Sequence, residues 1–285
     1  EKNLLGGSAS YAALSAAKLS SPVNLIGVVG HDFPQEHLDM LASKGVDLSG
    51  LERSEKASFT WTGEYHENMN DRTTHDVAIN VLEDWTVNVP KDLQDADFVL
   101  LANMAPLNQL QMLEQCTAKE KFVLADTMDL WITIANAELH EVLKRIDLLV
   151  INEGEAREFA GTNNLILAGE ILREKGPEFV VIKLGEFGAL LFGPGEKDFF
   201  RCGAWPLRDL ADPTGAGDTF LGGMTGYLAK EGAVKPTFAQ LRQAVVQGSM
   251  LASFTCEAFS TRALEDIDSD ILNKRLATFR EISAW

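Results

Sequence analysis

Short, almost wholly apolar runs alternate with helical stretches along most of this chain. Residues 23–29, 97–102, 121–126, 147–151 and 179–184 are apolar at positions facing both sides of a sheet, as in strands buried between two layers. Residues 8–19, 34–44, 107–115, 136–144 and 164–175 read as helices between them. The alternation predicts an α/β fold with a doubly wound, mostly parallel sheet and right-handed crossovers. Ligands in such sheets gather beyond the carboxyl ends of the strands, and the polar motifs of this chain fall at such ends.

One segment departs from the rhythm. Residues 58–66 and 76–82 are strand-like and flank a polar stretch containing Asn68, Asn70 and Asp71. Trp61, Tyr65, Val77 and Ile79 follow a period of two. The pattern predicts a small sheet standing off the main body; a lid over residues 57–83 and an ordinary edge hairpin are both open. The opening is unusual too, because Leu4-Leu5-Gly6-Gly7 leads into a helix with no strand before it. An open α/β fold usually begins with a central strand. The expectation is therefore a single domain over residues 1–285 whose N-terminal strand is absent from this sequence.

With 285 residues, 46% of them hydrophobic, the chain is long enough for one large domain with a buried core. No run approaches the roughly 18 apolar residues of a membrane span, and Glu1-Lys2-Asn3 does not open a secretory signal. Cys116, Cys202 and Cys256 are widely spaced in apolar segments and lack metal-ligand spacing. They read as reduced core residues of a cytoplasmic protein. The formal net charge of −17 argues against a nucleic-acid partner. It also means that bound phosphates would need local amides, a few lysines and a divalent cation.

The most informative stretch is residues 212–218, Asp-Pro-Thr-Gly-Ala-Gly-Asp, just ahead of the apolar helical run 219–230. Gly215, Ala216 and Gly217 leave the helix start without bulky side chains, so unpaired N–H groups and the positive end of the macrodipole form an anion pocket. Asp218 falls in the first turn of that helix. A carboxylate there suits a base that takes a proton from a hydroxyl attacking a phosphate. Gly222, Gly223 and Gly226, further along, read better as sites of close helix packing.

With this motif inside that architecture, the chain resembles the ribokinase-like, PfkB-type family of carbohydrate kinases, from Gly6-Gly7 to a helix ending near Ser253. The resemblance implies a three-layer α/β/α fold with a small β lid, and an enzyme that uses ATP and Mg2+ to phosphorylate an alcohol. It implies that Gly215, Ala216 and Gly217 hold the transferring phosphate and that Asp218 is the base. Asn152-Glu153-Gly154-Glu155 matches the family's Asn-x-x-Glu motif, which assigns Asn152 and Glu155 to magnesium through water and to the nucleotide phosphates. The bare alternative is a helix start whose acidic residues complement the dipole.

The segment 183–188 resembles the family's nucleotide-binding turn, which brings Lys183, Gly185, Glu186 and Gly188 towards ATP, although a hairpin needs such glycines anyway. Gln247 matches an adenine contact. Asp212 and Thr214 match a site for a monovalent cation, K+ in some relatives; Asp212 is equally readable as a turn residue.

For the acceptor, the resemblance points to Gly6, Gly7, Tyr11, Asn103 and Asp218. Ribokinase-type members carry an asparagine where Tyr11 stands and an acidic residue where Met104 stands. Both departures argue against ribose itself and favour a bulkier or partly aromatic acceptor such as a nucleoside. Asn103 contacts substrate or caps its loop. Asp126 and Trp131 match an Asp…Trp pattern that supports the site from behind, with core packing the preferred reading of Trp131.

The leading expectation is a sugar kinase, with a nucleoside kinase of the same family as the alternative. A non-catalytic sugar or nucleotide sensor is the rival from another class. An NAD enzyme is disfavoured, since no Gly-x-Gly-x-x-Gly follows an early strand. Edges around Phe59–Tyr65 make a homodimer through the lid reasonable.

Overall fold

The computed structural model describes residues 1–70 and 72–284; Asp71, in the polar stretch of the small sheet, lies outside them. Helix α1 (Ser8–Ala17) is followed by β1 (Val23–Asn24), β2 (Gly27–Val29), α2 (Gln35–Ser43), β3 (Val46–Asp47) and β4 (Leu51–Arg53). Strands β5 (Thr60–Tyr65) and β6 (Arg72–Ala78) then form an antiparallel pair separate from the other sheets.

The main body runs β7 (Phe98–Leu101), α3 (Pro106–Gln115), β8 (Phe122–Asp126), α4 (Asp129–Ile134), α5 (Asn136–Leu143) and β9 (Leu148–Asn152). It continues through α6 (Glu153–Ala160), α7 (Leu165–Glu174), β10 (Phe179–Lys183), β11 (Ala189–Phe192) and β12 (Phe199–Cys202). Helices α8 (Ala216–Lys230), α9 (Phe238–Thr255), α10 (Arg262–Glu265) and α11 (Ser269–Ser283) complete it. Its sheet has the order β12-β11-β10-β9-β8-β7. β7 to β10 are parallel, and β11 and β12 are added antiparallel.

Two apolar cores cover the two faces of this sheet. Phe122, Leu124, Leu148, Val150, Phe179 and Val181 pack with α1, α8 and α9 on one face. Val123, Ala125, Leu149, Ile151, Val180 and Ile182 pack with α3, α5, α6 and α7 on the other. Successive strand residues point to opposite faces, which is why each strand reads as an unbroken apolar run. The result is a three-layer α/β/α sandwich.

Two expectations are corrected. Residues 23–29 do not form one buried strand. Leu25 donates its N–H to Asp47 O and Gly27 to Gly50 O, so the run passes from one partner to another. β1 thus pairs with β3 and β2 with β4, outside the six-stranded sheet. The second strand of the small sheet ends at Ala78, not at Leu82. Asn80 takes a left-handed backbone (φ 46°), bonds Ser58 O through its side chain, and opens a 3-10 turn at Asn80–Leu82.

Candidate active site

The site lies where three parallel strands and two helix starts end together. β8 finishes at Asp126, β9 at Asn152 and β10 at Lys183, and Lys183 stands in register beside Asn152. Gln109 (1% exposed) donates to both Ala102 O and Asp126 O, stapling the ends of β7 and β8. Sequence reasoning missed this residue, because a glutamine inside an amphipathic helix carries no signal of its partners.

Helix α8 starts at Gly215, whose φ of 77° favours glycine, and no side chain caps it. Its first turn therefore keeps amide donors for a ligand, but Ala216 is not among them: its N–H is taken by Pro213 O at 3.1 Å. That corrects the expectation that all three residues of 215–217 supply amides; those of Gly217 and Asp218 lie in the uncapped turn. Gly222 and Gly226 meet the Ala12 and Ala16 carbonyls of α1, so their role is close packing, as expected.

Asp218 sits in a strong local field. Burial first, and then the charge of Asp126, push its carboxyl up to about 7, with Lys183 opposing. Burial and Asp126 likewise raise Glu155, which Lys183 and the Asn152 N–H restrain. Lys183 bonds Asp126 at 3.3 Å. Burial alone would lower its ammonium, but Asp126, Glu155 and Asp218 together hold it above the ordinary lysine range.

Asn152 and Glu155 form a reciprocal capping box at the start of α6, with Glu155 N–H to Asn152 Oδ1 at 2.9 Å and Asn152 N–H to Glu155 Oε2 at 3.0 Å. Glu155 is held by the helix start as well as by the site. Among the described residues no group of three His, Cys, Asp or Glu gathers as a metal cage. The donor set fits an ion that keeps its own waters and uses one or two protein oxygens.

The predicted nucleotide turn is a 3-10 turn at Gly185–Phe187 between β10 and β11. Gly188 is explained by the hairpin alone, since its φ is 96° and a side chain would strike Cys202 O. Glu186 is exposed. Gly185 (φ 57°) meets Asn70 of the small sheet, whose Oδ1 would lie 2.6 Å from an added Cβ. On α9, the Gln247 side-chain oxygen is buried with no hydrogen-bond partner among the described residues, which fits an acceptor waiting for a donor such as an exocyclic amine. Asp212 accepts from Thr214 N–H at 2.9 Å, the geometry of a turn residue.

On the acceptor side, Gly6 and Gly7 are exposed at the start of α1, and Ser8 Oγ bonds Asn103 O. Asn103 is fixed at both ends of its amide, accepting from Trp131 Nε1 at 3.0 Å and approaching Met128 Sδ at 3.2 Å. Trp131 is therefore a hydrogen-bonding support of that loop and not merely core.

Tyr11 is the clearest correction. It is 2% exposed, and a Cβ on Gly215 would lie 2.5 Å from its ring, so it packs beneath the α8 start and offers no face to a ligand. Aromatic side chains near the α8 start come from the small sheet. Trp61 lies across Gly63, bonds Thr74 through its indole N–H at 3.1 Å, and meets Tyr65 edge-on at 6.4 Å between centroids. The Tyr65 phenol, raised chiefly by burial, lies close to the Thr214 side chain within the fields of Asp212 and Asp218.

The chain is similar to known kinases in sequence and in fold. The profile of the pfkB family carbohydrate kinases matches residues 2–267. A cytidine kinase of Thermococcus kodakarensis is 30% identical over 78% of this chain and 80% of its own length. A nucleoside kinase of Methanothermobacter thermautotrophicus is 28% identical over 92% of this chain and 81% of its own. Among solved structures, an E. coli protein provisionally called ribokinase II, in complex with ATP and Mg2+, superposes with a TM-score of 0.77 at 19% identity, covering 99% of this chain and 90% of that one.

Proposed function

This chain belongs to the pfkB family of carbohydrate kinases, and from that premise we propose that it transfers the terminal phosphoryl group of ATP to an alcohol of a sugar, free or within a nucleoside. One observation carries the reading: Asp218, its carboxyl near 7, stands in the uncapped first turn of α8 beside Lys183. A base poised near neutral pH next to amide donors suits proton removal from an attacking alcohol.

In the step, the acceptor oxygen forms a bond to the terminal phosphorus as the bond from that phosphorus to the departing ADP oxygen breaks. The acceptor proton passes to Asp218. The amides of Gly217 and Asp218 receive the charge that develops on the phosphoryl oxygens. Asn152 and Glu155 would hold magnesium through its waters, and the ion supplies charge neutralisation when bound. The unpartnered oxygen of Gln247 supports a base contact, and Gly185 would border the nucleotide. The β5–β6 pair acts as the lid, because Tyr65 reaches Thr214 and Asn70 reaches Gly185. A monovalent cation at Asp212 and Thr214 and a homodimer through the lid complete the proposal.

The nucleoside form is favoured by the aromatic inner face of the lid, Trp61 and Tyr65, and by the two kinases of nucleosides above. The free-sugar form has the family description on its side. Labelled ATP offered with a panel of nucleosides and free sugars separates them. Transfer to none of these, with magnesium present, would refute the proposal.

A further inference from the structure

Lys183 and Asp126 are not neighbours in the sheet. β9 runs between their strands, so the lysine side chain crosses the end of β9 to reach the carboxylate at 3.3 Å. Both side chains are largely buried, 18% and 8% exposed. Asp126 is itself fixed: Oδ1 accepts from Thr127 N–H at 2.9 Å and its carbonyl from Gln109. The ammonium ends beside Gly217, where an added Cβ would lie 2.8 Å from Nζ.

That position is electrostatically odd. A cation at the start of a helix faces the positive end of the dipole and is repelled by it. The arrangement makes sense if cation and helix start share one anion. An ammonium has three donors, and among the described residues its one hydrogen-bond partner is Asp126. A chain of net charge −17 also needs local positive charge wherever it binds phosphate.

We propose that Lys183 is a catalytic residue contacting the transferring phosphoryl group at the α8 start, and that Asp126 is a positioning residue holding it there across β9. The inference rests on the kinase reading. As the phosphorus–oxygen bond to ADP breaks and that to the acceptor forms, Lys183 neutralises charge on the phosphoryl oxygens and keeps its own proton; the acceptor proton goes to Asp218.

The test is calorimetric binding of MgATP and MgADP, together with kcat and KM, for Lys183→Met, Lys183→Arg, Asp126→Asn and Asp126→Glu. Lys183→Met is expected to weaken MgATP about tenfold, the scale of one charge-assisted hydrogen bond, with MgADP little affected. Its kcat should fall roughly 10²–10³-fold, as on losing one donor to a developing oxyanion, with the acceptor KM nearly unchanged. Asp126→Asn should move the same ratios less, and Lys183→Arg and Asp126→Glu should restore part of them.

A purely structural ion pair would lower the melting temperature and leave the ATP-to-ADP preference alone; that result overturns the inference. If Lys183→Met does not fold, the preference measured in Lys183→Arg and Asp126→Asn decides in the same way. A parent protein that binds MgATP and transfers phosphate, with variants of unchanged preference, sinks this inference only. A parent that binds no MgATP sinks the kinase reading with it.

Discussion

The ring of Tyr11 lies directly beneath Gly215, so closely that a Cβ on the glycine would come within 2.5 Å of three ring carbons. α1 and α8 pack side by side from there along their lengths, with the candidate anion site at the α8 start. The glycine is needed twice over, for its left-handed φ of 77° and for the absence of a side chain. Tyr11 thus supports the backbone at the α8 start from below.

Tyr11→Phe should keep activity and both KM values near the parent, because the ring that supports Gly215 remains. Tyr11→Ala should lose about 3–5 kcal/mol of stability through the cavity left behind, measurable by urea unfolding. A large rise of acceptor KM in Tyr11→Phe, at unchanged stability, would return Tyr11 to direct substrate contact.

Asp218→Asn should lower kcat by about two to four decades, the range of general-base catalysis, with MgATP affinity largely retained by calorimetry. Turnover close to the parent would remove Asp218 from its role.

The pH dependence follows from the raised carboxyl of Asp218. As a base it must be ionised, so kcat should rise with pH through about 7. Stability runs the other way. The folded protein holds this proton more tightly than the unfolded chain, whose carboxyl titrates near 3.8, so the contribution is full below that value and is lost as pH rises through about 7. The stability of the parent relative to Asp218→Asn should therefore decline across this window. A pH-independent difference would contradict the raised value.

Trp61→Ala should raise the KM for a nucleoside roughly tenfold, the scale of one aromatic stacking contact, and leave that for a free sugar less changed. If the β5–β6 pair is the lid proposed above, its loss of cover should also raise ATP hydrolysis without acceptor, because a closed lid excludes water. Equal effects on both acceptor classes would argue against base stacking.

Chelation of divalent ions should abolish phosphoryl transfer without unfolding the protein, and Mg2+ should restore it. No protein cage of three ligands holds an ion among the described residues, so circular dichroism should be the same in both states.

The strands were legible because each is buried on both faces, which leaves an unbroken apolar run such as residues 122–125 of β8. The start of α8 was legible because small residues followed by an acid have a local physical meaning. Residues 23–29 misled for a related reason: an apolar run does not say which partner strand it pairs with. Tyr11 misled because alignment to a binding segment places a residue on a helix but does not fix which neighbour its ring will meet.

By itself the chain determined its alternating architecture, its uncapped glycine-rich helix start and the placing of an acid in that first turn, since all of these are written in local spacing. Only the folded arrangement decided that Lys183 crosses β9 to Asp126, that Tyr11 turns inward and Tyr65 reaches Thr214, and that Gln109 ties two strand ends together. These contacts join side chains far apart in sequence, where geometry and burial set the partners and the charges.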